Sequence, residues 1–191
     1  LIGTPALVAA GGSSVPLERK DAAMLAVLAL DGATARDTLA AMLWPDVALK
    51  TANVSLRQRV FRLRKRSGHE LVRTGEAIAL ADGVAADLTA AGAPAETLLS
   101  GELLGGFSYA DCATLADWVR LQRERWRARR RDALTAAASG HEARGELARA
   151  IELTQHVVAE EPLSEHVQRR LMRLHYLRGD RAAALQAFES F

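Results

Sequence analysis

Cysteine is nearly absent from this chain: Cys112 stands alone among 191 residues. That excludes an internal disulfide framework and a cysteine-built zinc site, and it points to a reducing, cytoplasmic setting. No apolar run approaches the roughly 18 residues a membrane span needs. The opening LIGTPALVAAGGSS also lacks the basic start of a signal peptide, so no membrane partner is expected. The histidines (His69, His141, His156, His166 and His175) form no HExxH pattern and no cluster with cysteine or acids. No metal and no cofactor is therefore expected. There is no GxSxG elbow, Cys112 has no identifiable activating base, and Gly11-Gly12 belongs to neither a GxxxxGK nor a GxGxxG loop. Glu160-Glu161 reads as a solvated helix end rather than acid/base machinery. The expectation is a protein that is not an enzyme. Net charge is small as well, +2 from 25 bases and 23 acids, so binding to a polyanion has to come from local clustering.

Such clustering exists where acid is missing. No Asp or Glu occurs between Asp46 and Glu70, and that interval holds Lys50, Arg57, Arg59, Arg62, Arg64, Lys65 and Arg66. Leu56, Val60 and Leu63 recur at i, i+4 and i+7, one face of a helix turning about 100° per residue. Gln58, Arg62 and Lys65 point nearly the opposite way, with Ser55, Arg59 and Arg66 along one edge. One side of this helix, roughly Thr51 to Arg66, anchors in a core. The other offers cations and short hydrogen-bonding groups, as a helix laid in the major groove of DNA requires.

The surroundings give that helix a place. Ala6-Leu7-Val8 and Val15-Pro16-Leu17 read as short strands about a Gly11-Gly12-Ser13-Ser14 turn. Glu18 to Leu30 reads as a helix burying Met24, Val27 and Leu28, closed by Asp31-Gly32. Thr34 with Asp37 reads as the cap of a second helix carrying Leu39, Met42 and Leu43, which ends at Trp44-Pro45. Trp44 and Phe61 read as packing residues. After Ser67-Gly68, the segments 70–73 and 77–80 flank Thr74-Gly75-Glu76 as a hairpin. Strands, two helices, a basic helix and a hairpin is the order of a winged-helix DNA-binding domain.

The segment LALDGATARDTLAAMLWPD, followed by NVSLRQRVFRLRKRSG, resembles the DNA-binding half of SARP-like bacterial transcriptional activators, built on an OmpR/PhoB-type winged helix. Leu39 to Asp46 matches the second-helix pattern LAxLLWPD, and Leu56 to Lys65 the recognition-helix pattern LRxxVxRLRR. The resemblance implies that Ser55, Gln58, Arg59 and Arg62 lie toward base edges or nearby phosphates, with Arg62 the first choice for reading sequence. It implies that Arg64, Lys65 and Arg66 sit by the phosphate backbone and that Arg73 and Thr74 of the hairpin touch it; Lys50, at the start of the basic stretch, is counted with the DNA-binding residues. The hairpin departs from the family pattern: it is short and carries Glu76 near its tip.

From Thr114 onward the pattern is almost wholly helical, beginning with a long arginine-rich helix from Trp118 to Ala138 whose arginines are expected largely outside. The chain then repeats itself at an offset of 34 residues, Gly145 to Ile151 recurring as Gly179 to Leu185, as in tetratricopeptide repeats. Residues 85–101 read as a joint. Leu103 to Phe107, Glu161-Pro162-Leu163 and Leu174 to Gly179 resemble the bacterial transcriptional activator domain, the tetratricopeptide-like bundle that follows the winged helix in SARP-like proteins.

The fold class expected is mainly α with a small β component, a winged helix over 1–90 followed by a tetratricopeptide-like helical domain over 91–191. The chain lacks an initiator Met and stops inside a helical pattern, so a fragment of a longer protein is expected. The function expected is a sequence-specific transcriptional activator. Its partners would be double-stranded promoter DNA, RNA polymerase and a second copy bound through the helical domain. The alternative is an interaction or sensory module of a larger signalling protein, in which the winged helix does not read sequence.

Overall fold

In the computed structural model, which describes residues 1–9, 12–88 and 101–189, the chain is mainly helical with a small sheet component. The described residues divide into two compact units, 1–88 with 101–124 and, separately, 125–189. Gly11 of the expected turn, most of the expected joint at 85–101 and the terminal Phe191 lie outside the described residues.

The first unit opens with β1 (Ala6–Val8) and β2 (Ser14–Pro16), antiparallel with Leu7 opposite Val15. Helix α1 (Arg19–Leu30) then buries every residue from Asp21 to Leu28. The spacing predicts one buried face with Met24, Val27 and Leu28. The other faces are covered too, because Ala22, Ala23 and Ala26 are small enough for neighbours to close over them. Part of that cover comes from residues 101–112. Tyr109 Oη donates to the Arg19 carbonyl at 3.0 Å, Arg19 pairs with Asp111, and Cys112 Sγ donates to the Met42 carbonyl at 3.1 Å.

Thr34 does not cap the second helix. It sits in β3 (Thr34–Ala35), opposite Ile78, and its hydroxyl donates to the Gly32 carbonyl at 3.1 Å. Strand pairing has claimed the residue that sequence assigned to capping. Helix α2 (Arg36–Leu43) starts with no side-chain cap, fully buries Leu39, Ala40 and Leu43, and ends at Trp44 before Pro45. Trp44 packs half-buried, with the Lys20 ammonium 4.6 Å from its ring centre. Helix α3 (Leu49–Ser67) follows, then β4 (Val72–Thr74) and β5 (Ala77–Leu80). The three-stranded sheet has the order β3-β5-β4, with Ile78 between Thr34 and Thr74.

Helix α4 (Ala113–Ala143) gives residues up to Glu124 to the first unit and from Arg125 to the second. The second unit continues with α5 (Leu147–Glu160), α6 (Glu165–Leu177) and α7 (Arg181–Glu189). The 34-residue repeat is written into the turns. Glu146 N–H donates to the His141 carbonyl and Gly145 N–H to Glu142; one repeat later Asp180 N–H donates to His175 and Gly179 N–H to Tyr176. Gly145 and Gly179 take φ of 74° and 85°, the left-handed region that glycine enters without a Cβ clash. Leu134, Ala138, Leu153, Val157 and Val167 form one buried cluster. A second joins Ala150, Ile151, Leu171, Leu174 and Ala187.

Glu160 and Glu161 are not a free solvated pair. Arg130 lies 2.7 Å from Glu160, in charge contact without an aligned hydrogen bond, and Arg131 pairs with Glu161. The two helices meet through a tight turn, and Arg130 and Glu160 lie equally far from Gly145 within it. Two of the arginines expected outside thus tie α4 to α5.

Candidate nucleic-acid interface

Helix α3 forms because nineteen residues pass without proline or glycine, and its inner side repeats at helical spacing. Ala52, Leu56 and Leu63 are at most 1% exposed, and Val60 is half-buried beside them. The helix contains no acid at all. Arg64, Lys65 and Arg66 occupy its last turn, where the negative end of the helix dipole favours cations.

The seven cations of 50–66 separate into two groups. Arg59 and Arg66 turn toward the start of α1. Arg59 donates to Glu18 at 2.9 Å and to Asp21 at 3.0 Å. Arg66 donates to Glu18 at 3.0 Å and to the Pro16 carbonyl at 2.7 Å, with Asp21 at 3.6 Å. Asp21 is a buried carboxylate, and burial pushes its pKa up against the opposing hydrogen bond from Arg59. Glu18 is exposed, and the Arg59 hydrogen bond pulls its pKa down. The cluster carries two charges of each sign, so these arginines are neutralised within the protein.

Lys50, Arg57, Arg62, Arg64 and Lys65 are all exposed, and none forms an ion pair among the described residues. Gln58 is exposed beside Arg62, and Ser55 is half-buried at the edge facing α1. Arg62 lies near enough to Glu18 to help lower its pKa, but without an ion pair among the described residues the five exposed cations repel one another, and a polyanion relieves that repulsion.

Phe61 departs from its expected packing role. It is 66% exposed, and Val54 one heptad earlier is 44% exposed. The reason is helical phase: both lie opposite Leu56 and Leu63, so position overrides apolarity. A groove of about 260 Å³ runs between α3 and the hairpin, with Arg36, Arg57, Phe61, Arg64 and Thr74 among its lining residues. Arg73 and Thr74 are exposed on the hairpin, and Arg73 sits 3.4 Å from Asp82. Glu76 is exposed at the turn, and the Arg36 guanidinium reaches the Gly75 carbonyl at 3.4 Å.

Sequence reading missed Glu18 and Asp21. Acids in the first turn of a helix are ordinary, and nothing in their spacing says that they face Arg59. It also passed over Arg57, whose position on the wheel beside the hairpin was readable. Among the described residues no group of three or more His, Cys, Asp or Glu is placed to hold a metal ion. No helix there is long and apolar enough to cross a membrane.

No curated protein matches the chain. The sequence profile described as the bacterial transcriptional activator domain matches residues 59–191, from the middle of α3 onward. That span is more than half of the chain, and the family is a regulatory one rather than an enzyme family. The chain therefore belongs to the bacterial transcriptional activator domain family.

Proposed function

We propose that this member of the family is a sequence-specific DNA-binding regulator, with a winged helix over 1–90 and a regulatory helical domain over 91–191. Helix α3 enters the major groove of promoter DNA. Arg62 reads a base edge, with Gln58 and Ser55 beside it, and Lys50, Arg64 and Lys65 meet phosphates. Arg73 and Thr74 of the hairpin touch the backbone. Arg59 and Arg66 reach DNA only by leaving Glu18 and Asp21. The single observation that carries this reading is the set of five exposed cations, without an ion pair among the described residues, on a helix whose inner side is buried at Ala52, Leu56 and Leu63.

The helical unit supplies dimerisation, contact with RNA polymerase or signal relay. Two copies would occupy paired half-sites about one DNA turn apart, arranged as direct repeats. The experiment is selection of duplexes by the protein from a randomised pool. A shared motif that Arg62→Ala fails to enrich supports the reading; a pool that stays random contradicts it. The second reading, an interaction module that does not read DNA, draws on exposed Tyr176, Leu177, Leu185 and Phe188. A random pool would favour it.

A further inference from the structure

Phe61 and Val54 have no function in a helix that binds only through charge. A phenylalanine that is 66% exposed gives up most of what burial of its ring contributes. Here it is set in a field of cations: Arg57 and Arg64 line the same groove, and Lys65 lies one turn on. Whatever covers Phe61 must bring negative charge around its edge and an apolar spot at its centre. An apolar protein surface would desolvate those cations without a counter-charge. The major groove of DNA fits, since phosphates line its rims and the 5-methyl groups of thymine stand in its floor. Double-stranded RNA does not fit: its major groove is too deep and narrow for side chains to read.

We infer that Phe61 and Val54 are specificity-determining residues that pack on thymine methyl groups in the bound duplex. This rests on the DNA-binding reading above and adds to it the chemical identity of the bases chosen. The two residues are seven apart on one face, about 10 Å along the helix axis. That is about three base-pair steps, so favoured duplexes carry thymines at about that spacing.

The test uses the duplex this chain selects from a randomised pool, synthesised once with thymine and once with deoxyuridine at every thymine position. Fluorescence anisotropy gives the ratio of the two affinities for wild type, Phe61→Ala and Phe61→Leu. Losing the two buried methyls should weaken wild-type binding about fifteenfold, about fourfold for each. Phe61→Ala should lose about fourfold of that ratio, the share of its own methyl, while Val54 keeps the rest and the salt dependence stays that of wild type; Phe61→Leu should lose less. The exposed position leaves folding intact, which the circular dichroism of each variant checks. Equal affinity of wild type for the two duplexes would overturn the inference and leave the DNA-binding reading standing. So would a ratio unchanged in Phe61→Ala. Absence of any salt-dependent duplex binding would instead remove the DNA-binding reading, and this inference with it.

Discussion

Arg59 and Arg62 lie three residues apart on α3, yet their surroundings assign them different work. Arg59 is 18% exposed and bonded to two carboxylates, one of them Asp21 at 4%. Removing its guanidinium leaves that buried carboxylate with only Arg66 nearby, at 3.6 Å. Arg59→Ala should therefore cost about 2–3 kcal/mol of folding stability, measured by denaturant unfolding. Arg62 is exposed and makes no ion pair among the described residues, so Arg62→Ala should change stability by no more than about 0.5 kcal/mol. Its expected effect is on DNA, relaxing discrimination at one base position by about 1–3 kcal/mol. Equal stability losses in both variants would contradict the division between them.

As an element, α3 is a buried aliphatic seam with a charged exterior, tied to α1 along one edge by Glu18 and Asp21. Glu18 is the accessible half of that tie, 59% exposed against 4% for Asp21. Substituting it frees Arg66, itself 36% exposed, from its nearer carboxylate. Glu18→Gln should steepen the salt dependence of DNA binding by about one phosphate contact, read as the slope of log affinity against log salt concentration. A slope equal to that of wild type would show that Arg66 stays engaged with the Pro16 carbonyl and Asp21. Much of this element was legible beforehand. Leu56, Val60 and Leu63 fixed its phase, and Gly68 its end. Its pairing with α1 was not, because the partners of Arg59 and Arg66 lie far away in sequence. Phe61 was misplaced for a simpler reason: its chemistry argued inward while its position on the wheel argued outward. Thr34 was misread because strand pairing with Ile78 competes with capping, and only the fold decides between them. The helical repeat was legible in its 34-residue offset; its equivalent turn hydrogen bonds, His141 and His175 each accepting from the amide five residues on, came from the fold. The ion pairs of Glu160 and Glu161 needed the α4–α5 turn to be seen.

Over the whole molecule, 25 bases and 23 acids nearly cancel, so no general attraction to nucleic acid is available. Affinity must arise where the sequence withholds acid, and of the seven cations there two are already neutralised by Glu18 and Asp21. The five that remain set an upper bound on the counterions DNA can displace from this helix, corresponding to a salt slope of about −4 to −5. The most direct measurement is that slope for wild type and for the Arg64→Ala, Lys65→Ala double variant, which removes two phosphate contacts, on one duplex. A wild-type slope near the bound, shallower by about two in the double variant, is the result expected. A slope near zero, or one the double variant leaves unchanged, would contradict the claim that the outer side of α3 binds DNA.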